Sequence, residues 1–281
     1  MKKRSFFSLS NCKTHYTTAA SLERQQGRRV LFFARDLMCI NEGESMKAWE
    51  ENLFQALQSI QSDQQFFQAM LSFSKELDFD FCAYGLRMPL PLTNPTILTF
   101  NNYPAAWQAH YQAKNYVAVD PTVHHAMRSP QPIVWSDDLF GSAHDLWEEA
   151  NSFGLRYGWA QSIRDFNGVV GMLTLARSNE PITEMEFEAK RFKLASLTQT
   201  AHLGMSQCWV PKLMPEVNAT LSTREIDVLR WTADGKTASE ISSLLNIAER
   251  TVHFHIHNTL TKLAATNKTS AAIKAAMLGL L

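Results

Sequence analysis

The chain has 281 residues, enough for two domains with cores of their own, and its 45% hydrophobic and 19% charged content is that of an ordinary folded protein. Lys plus Arg balance Asp plus Glu at 27 each, so no global charge marks the whole chain for nucleic acid or membrane. The four cysteines (Cys12, Cys39, Cys82 and Cys208) form no CxxC pair, and no apolar run approaches the roughly 20 residues of a membrane span. A disulfide scaffold, a cysteine zinc site and a membrane partner are therefore not expected, and a cytoplasmic location is.

Charge is unevenly spread: 8 basic against 4 acidic residues in 1–45, 12 against 18 in 46–217, and 7 against 5 in 218–281. Residues 1–45 are rich in Ser, Thr and Arg and lack sustained periodicity. A twin arginine, Arg28–Arg29, precedes a short apolar patch that Asp36 interrupts too soon for a signal-peptide core. This extension is read as disordered or not translated, with Met46 the favoured start.

From Met46 the pattern becomes an amphipathic helix, with Trp49, Leu53, Phe54, Leu57 and Ile60 at spacings of three to four. A second helix is expected over 63–77. Strand patterns follow at 79–88 and 96–102, separated by the Pro-rich 89-PLPLTNP-95. Helices at 104–115 and 143–154 precede strands at 157–164 and 168–177, which flank the turn 165-DFNG-168. A long helix from Thr183 to Gln207 closes the domain, with Thr183 and Glu186 spaced as a capping box. Helices layered on one antiparallel sheet make an α+β domain over 46–209.

Residues 210–220, with two prolines and few periodic apolar positions, read as a linker. Beyond it the texture is wholly helical. Ser222 and Glu225, Thr237 and Glu240, and Asn246 and Glu249 each place a capping oxygen three residues before a glutamate. A further helix begins near Thr269. Short helices joined by tight turns, the later one longer, describe an all-α four-helix unit with a helix-turn-helix over 221–281.

Within it, 251-TVHFHIH-257 alternates like a strand with three imidazoles on one face. The caps place it on a helix instead. There Val252, Ile256, Thr259, Leu260 and Leu263 form the core stripe, while Arg250, His253, Phe254 and His257 face outward. His255 falls beside the stripe. His253 and His257 are an i, i+4 pair, but no third ligand or HExxH glutamate accompanies them, so no metal is expected. A face of arginine, imidazoles and one aromatic ring suits base edges, phosphates and a thymine methyl.

The block 221–281 resembles the DNA-binding domain of LuxR-type transcription regulators along its whole length. Glu225, Leu229, Gly235, Lys236, Thr251, Val252, His255, Lys262, Leu263 and Asn267 match in register. His253 departs from the family, many of whose members carry Asn there. The resemblance implies contacts to double-stranded DNA from Lys236, Thr237, Arg250, Thr251, His253, Phe254 and His257. It also implies a homodimer on an inverted repeat, acting on RNA polymerase.

The middle domain carries a dense aromatic constellation, 103-YPAAWQAHYQAKNYVAVDPTV-123 and then 133-IVWSD-137. Tyr103, Trp107 and Tyr111 recur every fourth residue and by themselves suit a plain core stripe. Asp120 changes that weighting, because a carboxylate buried beside aromatic rings needs a donor. The spacing W-x3-Y-x8-D-P followed by Trp135 resembles the acyl-homoserine-lactone-binding domain of quorum-sensing LuxR-type proteins, over Phe66 to Leu203. The resemblance implies a ligand site of Tyr103, Trp107, Tyr111, Asp120, Thr122, Trp135 and Thr174. An indole only donates, which suits the lactone carbonyl, and a carboxylate only accepts, which suits the amide N–H. Tyr103 can donate to the amide carbonyl. His110, His124 and His125 lie nearby without a nucleophile or GxSxG spacing, so no catalytic residue and no cofactor are expected. Two alternatives stay open: a constitutive or protein-regulated factor whose aromatic face is core, and a regulator sensing a different small molecule.

Overall fold

The computed structural model describes residues 46–56 and 62–281. The basic segment 1–45, and Leu57 and Ile60 of the first helical pattern, lie outside the described residues. The chain separates into two units, Met1–Trp49 and Glu50–Leu281. Residues 46–56 are helical, and every element from Asp63 onward lies in the second unit.

Helix α1 (Asp63–Glu76) starts where the Ser62 hydroxyl accepts the Gln65 N–H, and it buries Phe66, Phe67, Met70 and Phe73. Five antiparallel strands follow in the spatial order β2-β1-β5-β4-β3: β1 (Phe81–Arg87), β2 (Ile97–Asn101), β3 (Ile133–Val134), β4 (Tyr157–Arg164) and β5 (Val170–Arg177). Between β2 and β4 run α2 (Ala105–Ala113), a short turn of helix at Tyr116–Ala118, α3 (Pro121–Ala126), α4 (Asp137–Phe140) and α5 (His144–Ser152). Strand β3 and the helices α3 and α4 are too short to leave a periodic signal. The rest of the domain follows the sequence pattern to within a few residues.

Alternation along the central strands sends one set of side chains to each layer. Tyr84 of β1 pairs with Leu173 of β5, and its hydroxyl lies 3.0 Å from His202 Nδ1 on α6 (Glu184–Leu213). Ala176 of β5 instead joins the cluster built from α2, α4 and α5. The sheet is thus sandwiched, as the α+β reading expects. The close seat of α6 depends on Gly171, where a Cβ would come within 2.4 Å of both His202 Nδ1 and the Tyr84 hydroxyl. Both rings are buried and have nowhere to move. Gly171→Ala is expected to cost about 1–3 kcal/mol through overpacking. An unchanged urea-melting midpoint would contradict this seat.

Helix α6 departs from the reading at both ends. Thr183 caps it by accepting the Glu186 N–H, but the second half of the capping box is missing. The Glu186 carboxylate is taken by Arg177 at 2.6 and 2.8 Å and by Lys190 at 2.7 Å. At the other end the helix passes Pro211 and stops at Leu213, so residues 210–213 of the expected linker are helical. Val210 and Met214 are buried and carry the chain on, while a proline so near the end forfeits one backbone bond.

The C-terminal bundle is α7 (Thr223–Ala233), α8 (Ala238–Leu245), α9 (Glu249–Lys262) and α10 (Lys268–Met277). Complete capping boxes open α7 at Ser222 and Glu225 and α8 at Thr237 and Glu240. The third expected box does not form. Asn246 is left-handed, with φ of 51°, and closes α8, so Ala248 becomes the N-cap of α9 without a side-chain bond. Asparagine tolerates that conformation better than most residues, which makes the three-residue turn possible. Val228, Ile241 and Val252 lock the three helices together.

Candidate functional sites

The aromatic residues of the middle domain converge on one layer. Trp107 on α2 is 3% exposed and contacts Tyr116 at 6.2 Å, Tyr111 at 5.8 Å and Phe153 at 5.4 Å between ring centroids. Tyr103, Tyr111 and Trp135 pack against the same cluster. Trp135 meets Phe140 and Trp147 edge-on, and Gly158 of β4 makes room for it, since a Cβ there would lie 2.2 Å from the indole. The Trp135 indole nitrogen is buried and has no hydrogen-bond partner among the described residues. Thr174 pairs with Ala83 and Ala160 and stands two residues before Ala176, so it projects to this same face.

Asp120 ties the polar side of the layer together. It is the N-cap of α3, with Oδ1 accepting from the Thr122 N–H at 2.8 Å and from the Thr122 hydroxyl at 2.6 Å. Oδ2 accepts from the Tyr111 hydroxyl at 2.9 Å. A carboxylate has about four acceptor positions, and the described residues fill three of them. Burial first, and the neighbouring Asp120 charge as well, push the Tyr103 and Tyr111 phenols well above their ordinary range. Both stay protonated and able to donate.

Four residues of this layer were not singled out by the sequence pattern. His110 and Tyr116 both bond to one oxygen of Glu149 on α5. Phe153, just past the end of α5, contacts Trp107 and His110. In sequence the histidine only lies near the aromatic cluster without a catalytic partner, and nothing in the spacing connects it to a glutamate 39 residues away.

In the bundle, Arg250, His253, Phe254 and His257 are exposed on α9, opposite buried Val252, Thr259 and Leu263. Thr251 is half-buried. His255 is half-buried, with Nδ1 buried and without a hydrogen-bond partner among the described residues. His253 Nε2 lies 3.7 Å from Glu249. The Thr237 side chain is engaged in its capping box, and Lys236 reaches Glu240 at 3.7 Å. The base of the bundle is held by Glu225, 3% exposed, whose Oε2 takes Lys262 Nζ and the Ser222 N–H at 2.7 Å each.

Residues 62–205 match the autoinducer-binding domain family, and residues 219–275 match the luxR family of bacterial regulatory proteins. The chain is 45% identical to the transcriptional activator AnoR of Acinetobacter nosocomialis over 84% of its own length and all of AnoR. The chain belongs to the LuxR family of autoinducer-binding transcriptional regulators. Other relatives agree: the quorum-sensing regulator RhlR of Pseudomonas aeruginosa is 39% identical over 83% of this chain and 96% of RhlR. The structure of SdiA in complex with octanoyl-rac-glycerol superposes with a TM-score of 0.72 at 32% identity, covering 84% of this chain and 96% of that one. LuxR-type proteins are regulators and not enzymes. The helix-turn-helix of this LuxR-type chain serves DNA, and its sandwiched domain an autoinducer. Among the described residues, no helix is long and apolar enough to cross a membrane.

Proposed function

We propose that this regulator responds to an N-acyl-homoserine lactone and binds an inverted-repeat DNA site as a homodimer in the cytoplasm, acting on RNA polymerase. The observation that carries the ligand assignment is Asp120, a carboxylate with three bonds made and one acceptor position left, joined through the Tyr111 hydroxyl to the ring that packs on buried Trp107. The amide N–H fits that position. Trp107 would donate to the lactone carbonyl and Tyr103 to the amide carbonyl, with Thr174 as a further polar contact near the head. Thr122 holds Asp120 in place, and Tyr111 and Trp135 wall the ring and the first carbons of the chain. An apolar layer with a few fixed polar groups is the usual make-up of a small-molecule site. The proposed boundaries are a ligand domain over 46–209, a joint at 210–220 and a DNA-binding domain over 221–281.

On α9, Arg250, His253, Phe254 and His257 would enter the major groove, supported by Lys236, Thr237 and Thr251 at the phosphates. The exposed apolar side chains Met185, Phe192 and Leu203 of α6, and Phe54, support a subunit contact. A dimer would double a modest positive surplus and set two recognition helices one turn apart. Arg250→Ala is expected to weaken binding to an inverted-repeat duplex at least tenfold and to narrow its preference over an unrelated duplex, in fluorescence anisotropy. An unchanged affinity would remove α9 from the groove.

A second reading keeps the DNA-binding end and changes the ligand. SdiA is solved with octanoyl-rac-glycerol, an acyl chain with a head that has no lactone ring. A ligand of that class, an acyl tail with hydroxyl donors for Asp120, fits the same polar layer. Thermal shifts with homoserine lactones and with monoacylglycerols of equal tail length separate the two.

A further inference from the structure

Trp107 is held by a clasp made from three separate elements. His110 stands three residues after it on α2, Tyr116 lies in the following turn, and Glu149 comes from α5. His110 Nε2 approaches Glu149 Oε2 at 2.5 Å, and the Tyr116 hydroxyl donates to that same oxygen. A carboxylate only accepts, so the imidazole nitrogen facing it must carry the proton. The indole of Trp107 lies against both clasped rings, tilted 35° to His110 at 6.2 Å and stacked at 30° on Tyr116 at 6.2 Å. Phe153, one turn beyond Glu149 and at the C-cap of its helix, touches Trp107 and His110. Tyr116 also meets Tyr111, the donor to Asp120, at 5.9 Å.

We infer that Glu149 is a positioning residue for the ligand head group, fixing the plane and reach of the Trp107 indole through His110 and Tyr116. The inference rests on the reading of Trp107 as the donor to a lactone carbonyl. A mere staple between helices would need no polar group at Tyr116, whose ring is 7% exposed and whose hydroxyl must find an acceptor. The hydrogen bond from Tyr116, then that from His110, keeps the Glu149 carboxyl below its ordinary range, while the same bond pushes the Tyr116 phenol up to about 12. The donor–acceptor pair therefore persists across neutral pH. Without the carboxylate the two rings lose their common anchor and the indole its fixed orientation. Contacts to the ring carbonyl should suffer while contacts to the acyl tail remain.

The experiment compares two probes on the full chain: the N-acyl-homoserine lactone of the best-bound length between four and twelve carbons, and the N-cyclopentyl amide of the same acid. The second keeps tail and amide but lacks the ring carbonyl. The wild type should prefer the lactone by about tenfold, the worth of one good hydrogen bond. Glu149→Ala should lower that preference at least threefold, toward the value for Trp107→Phe. Glu149→Gln, which keeps an uncharged acceptor, should fall between. Tyr116→Phe preserves the ring and removes only its bond, so it must shift the preference in the same direction even if Glu149→Ala fails to fold. Equal losses for both probes, with the preference unchanged, would make the clasp a structural staple and overturn the assignment. A wild type that binds both probes equally would overturn the Trp107 contact and the clasp with it, and one that binds neither would overturn the ligand reading itself.

Discussion

Asp120→Ala is expected to lower affinity for an acyl-homoserine lactone by one to two orders of magnitude in a calorimetric or fluorescence titration. The substitution removes an acceptor that serves the Thr122 N–H, the Thr122 hydroxyl and the Tyr111 hydroxyl at once. It also removes the position offered to the ligand amide. A buried donor left without its partner costs about 1–3 kcal/mol, at the upper end where a charge assisted the bond. Each 1.4 kcal/mol is about tenfold in affinity, which gives the stated range. Loss of the N-cap of α3 adds about 1 kcal/mol against the fold, so stability should fall in the free protein too. Asp120→Asn keeps one acceptor oxygen and should lie between. An Asp120→Ala variant that binds ligand as well as the wild type would move the head group elsewhere.

Glu186→Ala should have the largest effect on folding. Arg177 closes the end of β5 with 9% of its side chain exposed, and its guanidinium donates to Glu186, to the Glu180 and Pro181 carbonyls and, more weakly, to the Asp78 carbonyl. Lys190 joins the same carboxylate and reaches Asp78 at 2.8 Å. Removing the carboxylate leaves a mostly buried cation with backbone carbonyls as its acceptors, a cost toward the lower end of the about 3–5 kcal/mol of breaking a buried pair from one side. That is a large share of a typical domain stability of about 5–15 kcal/mol. The bond from Arg177 first, and Lys190 as well, hold the Glu186 carboxyl at about 2. A depressed acid stabilises above its unfolded value, near 4.3, and that contribution is lost as pH falls from there to about 2. The wild-type chain should therefore lose stability over that interval, with a smaller part of the loss in Glu186→Ala. Parallel curves for the two proteins would show that the pair contributes nothing.

Sequence pattern carried the layers of both domains because periodicity reports burial, and burial here is regular. The histidine stretch shows it: alternation suggested a strand, but the period of Val252, Thr259 and Leu263 and the glutamate-spaced caps before it placed it on a helix, which forms although its own expected cap at Asn246 does not. What stayed hidden was rivalry for a single side chain. Glu186 has the spacing of a capping glutamate, yet Arg177, nine residues earlier, offers two charged hydrogen bonds and wins. Asn246 also has the spacing of a cap, but a helix already ended there and needed a left-handed residue more. The clasp on Trp107 was illegible for a related reason. Glu149 is one of two adjacent glutamates on an amphipathic helix, and only the fold tells which of them faces His110.

The most direct test of ligand binding is the melting temperature of the protein with and without a panel of acyl-homoserine lactones, wild type beside Asp120→Asn. Ligand that binds only the folded state raises stability by about 2.7 kcal/mol at a hundredfold excess over Kd, a shift of several degrees for a chain of this size. Such a rise is expected for one acyl length, and a smaller one in the mutant. No shift with any lactone, in a protein that still binds its DNA, would contradict lactone binding.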